Sequence, residues 1–134
     1  MIEKLNHVAI VVPDLVKAKR LYEDVLGAQV SDIQSLPNHG VLTVFVDLGN
    51  AKIELLHPMG DSSPVSNFLK QNPNGSIHHI CYEVANIDAA VDRLTEKGLR
   101  VLGDGMPKVG AHGNPVVFLH PKDCAGTLVE LEEV

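Results

Sequence analysis

The sequence predicts an α+β fold in which two pseudo-symmetric βαβββ modules form one curved mixed sheet with the helices outside. Three observations carry this. Residues 6–27 (N-H-V-A-I-V-V-P-D-L…V-L-G) read against residues 78–98 (H-H-I-C-Y-E-V-A-N-I…E-K-G): in both a histidine opens an alternating run, a helical segment follows and a glycine closes it. Residues 44–57 (V-F-V-D-L-G-N-A-K-I-E-L-L-H) likewise resemble residues 117–132 (V-F-L-H-P-K-D-C-A-G-T-L-V-E-L-E), each a hairpin whose return strand carries a glutamate. The spacing from histidine to glutamate also agrees, 54 − 7 = 47 residues in the first half and 130 − 79 = 51 in the second.

The elements follow in order. Residues 5–12 alternate as a strand; Asp14 is an N-cap, and Leu15, Ala18, Leu21, Tyr22 and Val25 fall at helical spacing until Gly27 ends the helix. Residues 28–36, 41–48 and 51–57 read as three strands, the last two joined at Gly49-Asn50, and residues 64–71 as a short connecting helix. Asn72-Pro73-Asn74-Gly75 breaks the chain between a first module of about residues 1–72 and a second of about 76–134, the whole being read as a single domain over 1–134. The second module repeats the order, with a strand over 77–84, an N-cap at Asn86, a helix over 87–96 stopped by Gly98, and strands over 99–102, 115–120 and 126–132.

Composition narrows the functional classes. At 134 residues and 45% hydrophobic, the chain can bury a core as one domain. No stretch approaches the roughly 20 apolar residues of a membrane-spanning helix, and no signal or transit segment precedes the first strand, so a soluble, cytoplasmic chain without a membrane partner is expected. A net charge of −6 and the absence of Trp disfavour nucleic acid. Cys81 and Cys124 match neither a disulfide framework nor a C-x-x-C site.

The two-residue period of strands then sorts the polar residues by face. His7 lies opposite Val8, Ile10 and Val12; His79 lies opposite Ile80, Tyr82 and Val84; Glu54 opposes Ile53 and Leu55; Glu130 opposes Val129 and Leu131. Each is thus opposite the apolar row that packs against the helices, and all four are expected inside a metal cleft. Two imidazoles and two carboxylates suit a divalent first-row ion with coordination positions left for substrate or water.

These residues resemble the vicinal oxygen chelate (glyoxalase) superfamily, whose paired βαβββ modules each supply a His and a Glu. The resemblance spans essentially the whole chain, and the long segments G-A-H-G-N-P and F-L-H-P-K-D bring it closest to the methylmalonyl-CoA epimerases of that superfamily. It implies a CoA thioester substrate, a homodimer, and a divalent cofactor, cobalt first, with manganese, zinc, nickel or magnesium as alternatives. It also implies that Glu130, both ligand and base, removes the C2 proton of methylmalonyl-CoA, whose return to the opposite face needs a second group. Some bacterial epimerases carry a glutamate where this chain has Thr43, a poor acid; either a water or another residue takes that role, Glu83 on the His79 face being one candidate, or the alignment is shifted by a strand position.

Among the other residues, His112 in the glycine-flanked loop Gly110-Ala111-His112-Gly113 is a substrate-binding candidate, and Lys122, with Lys108, a candidate for CoA phosphate or carboxylate. His78 is read as a core histidine, and His39 and His57 as exposed. A glyoxalase-type lyase would use nearly the same His/Glu set, an extradiol dioxygenase two His and one carboxylate on iron, and a non-catalytic small-molecule-binding protein the fold alone.

Overall fold

The computed structural model describes all 134 residues, in two compact units: His7–His78, and Met1–Asn6 together with His79–Val134. The division falls within β1 (Ile2–Val11), which begins three residues earlier than the alternation indicated. Its first residues join the later unit through real contacts. Asn6 Nδ2 donates to Glu83 Oε2 at 2.8 Å, and Met1 and Ile2 line an apolar cavity with Tyr82, Leu94 and Val129.

In the unit His7–His78 the strand order is β2-β4-β5-β1, with β3 also on β4. The strands are β2 (Gln29–Val30), β3 (Gln34–Leu36), β4 (Val41–Asp47) and β5 (Lys52–Pro58). β1 and β5 run parallel and β4 and β5 antiparallel, the mixed pattern expected. Asp14 caps α1 (Leu15–Arg20) by accepting from Lys17 N at 3.0 Å. A π-turn, Leu21–Val25, extends the helix, with Leu26 N donating to Leu21 O at 2.9 Å. Leu15 of α1 buries against Val44, Val46 and Leu55, with Ile10 and Val12 beside them. Each fully buried Val or Leu there is worth about 1.5–3 kcal/mol.

Two features depart from the sequence reading. The segment 28–36 is not one strand, because three residues (Ser31, Asp32, Ile33) oppose two on β4 (Val44, Phe45), a bulge held by Phe45 N donating to Ser31 Oγ at 2.9 Å. The connecting helix α2 (Ser66–Gln71) lies on the His7 face rather than on the α1 face: Val65, Phe68 and Leu69 pack on Ala9, Val11, Val41 and Leu56. One end of the polar face is therefore closed by apolar side chains.

In the second unit the order is β6 (Ser76–Val84), β9 (Val129–Glu133), β8 (Pro115–Leu119), β7 (Lys108–Val109). β6 and β9 are parallel and β8 and β9 antiparallel, repeating the first unit. Asn86 caps α3 (Ile87–Glu96) by accepting from Ala89 N at 2.8 Å, and Glu133 Oε2 accepts from Ile87 N at 2.8 Å. Ile87 and Ala90 pack on Val84, Val117, Leu119 and Leu131.

Residues 99–102 make only one bridge, Val101 to Leu119, instead of a strand. Around it, Leu102 N donates to Phe118 O at 2.8 Å and His120 N to Arg100 O at 3.2 Å, while Arg100 N bonds the Asp123 carboxylate at 3.0 Å and the guanidinium grips it at 2.9 and 3.2 Å. The two-residue β7 (Lys108–Val109) leaves no trace in the sequence, because so short a run between Pro107 and Gly110 shows no alternation. The Arg100 side chain holds the Asp123 carboxyl below its ordinary range. Because the folded value is depressed, the stability this pair contributes is present above the unfolded pKa near 4 and lost as pH falls through the folded value. Asp123→Asn is expected to lower the thermal midpoint at pH 7 and to lower it by less at pH 3, below the unfolded pKa, where part of the contribution has gone. An equal deficit at both pH values would contradict the assignment.

Candidate metal centre

The two units repeat one arrangement in register. In parallel pairing, Ala9 lies opposite Glu54 and Cys81 opposite Glu130, so each glutamate faces the residue two beyond its histidine. In antiparallel pairing, Phe45 lies opposite Glu54 and Phe118 opposite Glu130. Each phenylalanine stands edge-on to the histidine of its own unit: Phe45 to His7 at 6.1 Å and 82°, Phe118 to His79 at 5.2 Å and 86°. The V-F-V and V-F-L matches in the sequence are these two rings.

Within each unit the imidazole approaches the carboxylate. His7 Nε2 is 3.4 Å from Glu54 Oε1, and His79 Nε2 is 3.9 Å from Glu130 Oε2. All four residues are buried, none above 8% exposed. A neutral imidazole nitrogen and a carboxylate oxygen are the donor types that a divalent first-row ion takes. The donor chemistry of each half therefore fits half the coordination of a divalent ion. Thr43 is fully buried and its hydroxyl donates to Glu54 Oε2 at 3.1 Å, so it orients that carboxylate.

The face bearing His79 and Glu130 carries a further group. Glu132, 2% exposed, accepts from Asn114 Nδ2 at 3.0 Å and meets His112 Nδ1 at 3.1 Å through one oxygen and 3.3 Å through the other. Cys81 Sγ is 3.9 Å from it. The sequence reading missed Glu132, although the parity that placed Glu130 places Glu132 two residues later on the same face.

The other candidates fall elsewhere. Glu83 is engaged by Asn6. Lys122 is exposed in the turn Pro121–Asp123, and Lys108 Nζ pairs at 2.8 Å with Asp104 on the surface. His57 is half-buried, not exposed, because Nδ1 bonds Val12 O at 2.9 Å, and His39 is half-buried in the turn Pro37–His39. His78 is half-buried with its ring edge-on to Phe68 at 4.9 Å; burial lowers its pKa, partly offset by the Glu54 charge.

With this geometry in place, residues 6–118 match the model of the Glyoxalase/Bleomycin resistance protein/Dioxygenase superfamily, and the chain belongs to that superfamily. It is 62% identical over 134 residues, the full length of both proteins, to the ethylmalonyl-CoA/methylmalonyl-CoA epimerase of Cereibacter sphaeroides. It is 60% identical over 130 residues to the mitochondrial methylmalonyl-CoA epimerase of Homo sapiens, covering 97% of this chain and 73% of that one. The solved methylmalonyl-CoA epimerase of Mycobacterium tuberculosis superimposes with a TM-score of 0.91 at 30% identity, over 98% of this chain and 88% of that one. The α+β fold of paired modules read from the sequence is the fold of these structures.

Proposed function

We propose that this protein epimerises methylmalonyl-CoA at C2, with one divalent ion held by His7, Glu54, His79 and Glu130. The observation that carries the reading is the in-register repetition of a buried His, Glu and Phe in both units, in a chain 62% identical to an epimerase of this substrate class. An ion bound by these groups would offset the negative charge that grows on the thioester and carboxylate oxygens as C2 loses its proton.

Glu130 takes that proton. Its second oxygen, or a loosened first one, is the basic site, because a metal-bound carboxylate oxygen is a weak base. Thr43 holds Glu54 in place and contributes no proton of its own. Cobalt is the first candidate cofactor, and the protein acts as a cytoplasmic homodimer; no helix is long and apolar enough to cross a membrane.

The test is to incubate the metal-loaded protein in deuterated water with one methylmalonyl-CoA epimer. Deuterium at C2 and the opposite epimer are both expected, and ethylmalonyl-CoA in a parallel reaction sets the tolerance for one extra methylene. No exchange with cobalt, manganese, zinc, nickel or magnesium would sink the proposal. Lactoylglutathione formation from the glutathione thiohemiacetal, without epimerisation, would replace it with a glyoxalase.

A further inference from the structure

We propose that His112, oriented by the buried carboxylate of Glu132, is the second proton-transfer group of the epimerisation, the one Thr43 does not supply; this rests on the epimerase reading above. Inverting one carbon needs two groups on opposite faces of a planar intermediate; of the two repeated glutamates Glu130 is the base, and Glu54 is held by the Thr43 hydroxyl at 3.1 Å as a ligand of the proposed ion. The Glu132–His112 pair has no counterpart in the other unit: the corresponding residue on the Glu54 strand is Leu56, buried beneath Val65. It is here that the pseudo-symmetry breaks, beside Glu130.

The geometry is that of an oriented acid-base histidine. A carboxylate only accepts, so the proton shared at 3.1 Å sits on His112 Nδ1, leaving Nε2, across the ring, to gain and lose the transferred proton. Glu132 is fixed on β9 and further held by Asn114, so the imidazole is anchored to the sheet rather than to the loop alone. The loop itself is a tight turn, closed by Gly110 N to Asn114 O at 2.9 Å and Gly113 N to Gly110 O at 3.1 Å, with Gly113 at φ +82°. A β-carbon on Gly110 would come within 2.7 Å of Val116 Cγ1, so only glycine lets the loop lie this close to β8. The ring keeps about a quarter of its surface accessible, as a proton donor to a bound ligand requires.

The step balances. As the C2–H bond breaks, an O–H bond forms on Glu130 and the electron pair enters the enolate; as C2–H reforms on the opposite face, the Nε2–H bond of the imidazolium breaks. For the other epimer the roles exchange, and solvent restores both groups.

His112→Gln, Glu132→Gln and the double variant, all metal-loaded, test this. His112→Gln is expected to lower kcat for epimerisation by about 100-fold or more with little change in KM or metal affinity. It should continue to exchange C2 deuterium into one epimer without inverting it. Glu132→Gln should cost less, and the double variant should be no slower than His112→Gln, since Glu132 acts through His112. Epimerisation by His112→Gln within a few-fold of the parent, loss of its metal, or additive losses in the double variant would each overturn the proposal. If the parent itself neither exchanges nor epimerises, the failure belongs to the epimerase reading instead.

Discussion

Replacing His79 by alanine is expected to weaken binding of a divalent ion by about two to three orders of magnitude. A site of four protein ligands binds with an apparent free energy of about 10–16 kcal/mol in the structural zinc case. A proportional share for one ligand is therefore about 2.5–4 kcal/mol, or roughly a 10²–10³-fold loss of affinity. The actual loss should lie toward the upper end. His79 is 4% exposed and packed edge-on to Phe118, so the ligand is removed from a buried, fixed position. The measurement is titration calorimetry with cobalt, read beside a thermal midpoint without metal. That midpoint should fall only modestly, because the alanine removes a ring contact and leaves the α3 core of Val84, Ile87 and Leu131 untouched. Undiminished cobalt affinity would remove His79 from the ligand set.

The fold was legible because the duplication writes each element twice. Strand parity set His7, Glu54, His79 and Glu130 opposite their apolar neighbours, and in each unit that histidine lies beside that glutamate, while the helix caps Asp14 and Asn86 mark the same turn in both halves. What stayed hidden has no counterpart in the other half or depends on long-range contacts. The bulge at residues 31–33 depends on Ser31 reaching Phe45, 14 residues away. The seating of α2 on the polar face depends on Val65 and Phe68 meeting Ala9 and Val11, a contact no local period encodes. Glu132 is the instructive miss. Its parity was readable, yet a charged residue at a strand end looks solvated until His112 and Asn114, 20 and 18 residues earlier, fold back onto it.

Substituting Glu130 by glutamine separates metal binding from proton transfer at the same residue. The amide keeps the size of the side chain and one ligand oxygen, so the pairing with Cys81 and Phe118 should persist and part of the metal affinity should remain. Its loss is charge and basicity: an amide oxygen has no useful proton affinity near neutral pH, and general-base catalysis contributes about 10²–10⁴-fold. Epimerisation should fall into that range even when metal is saturating, with KM changed far less than kcat. The deuterium experiment distinguishes this from a binding defect. Glu130→Gln should lose exchange of the epimer whose proton faces Glu130, whereas His112→Gln should retain that exchange and lose inversion. Two variants silent in complementary ways assign one group to each face of C2. If Glu130→Gln epimerises at the parental rate with metal bound, the base lies elsewhere, and Glu54, oriented by the buried hydroxyl of Thr43, is the carboxylate to replace next.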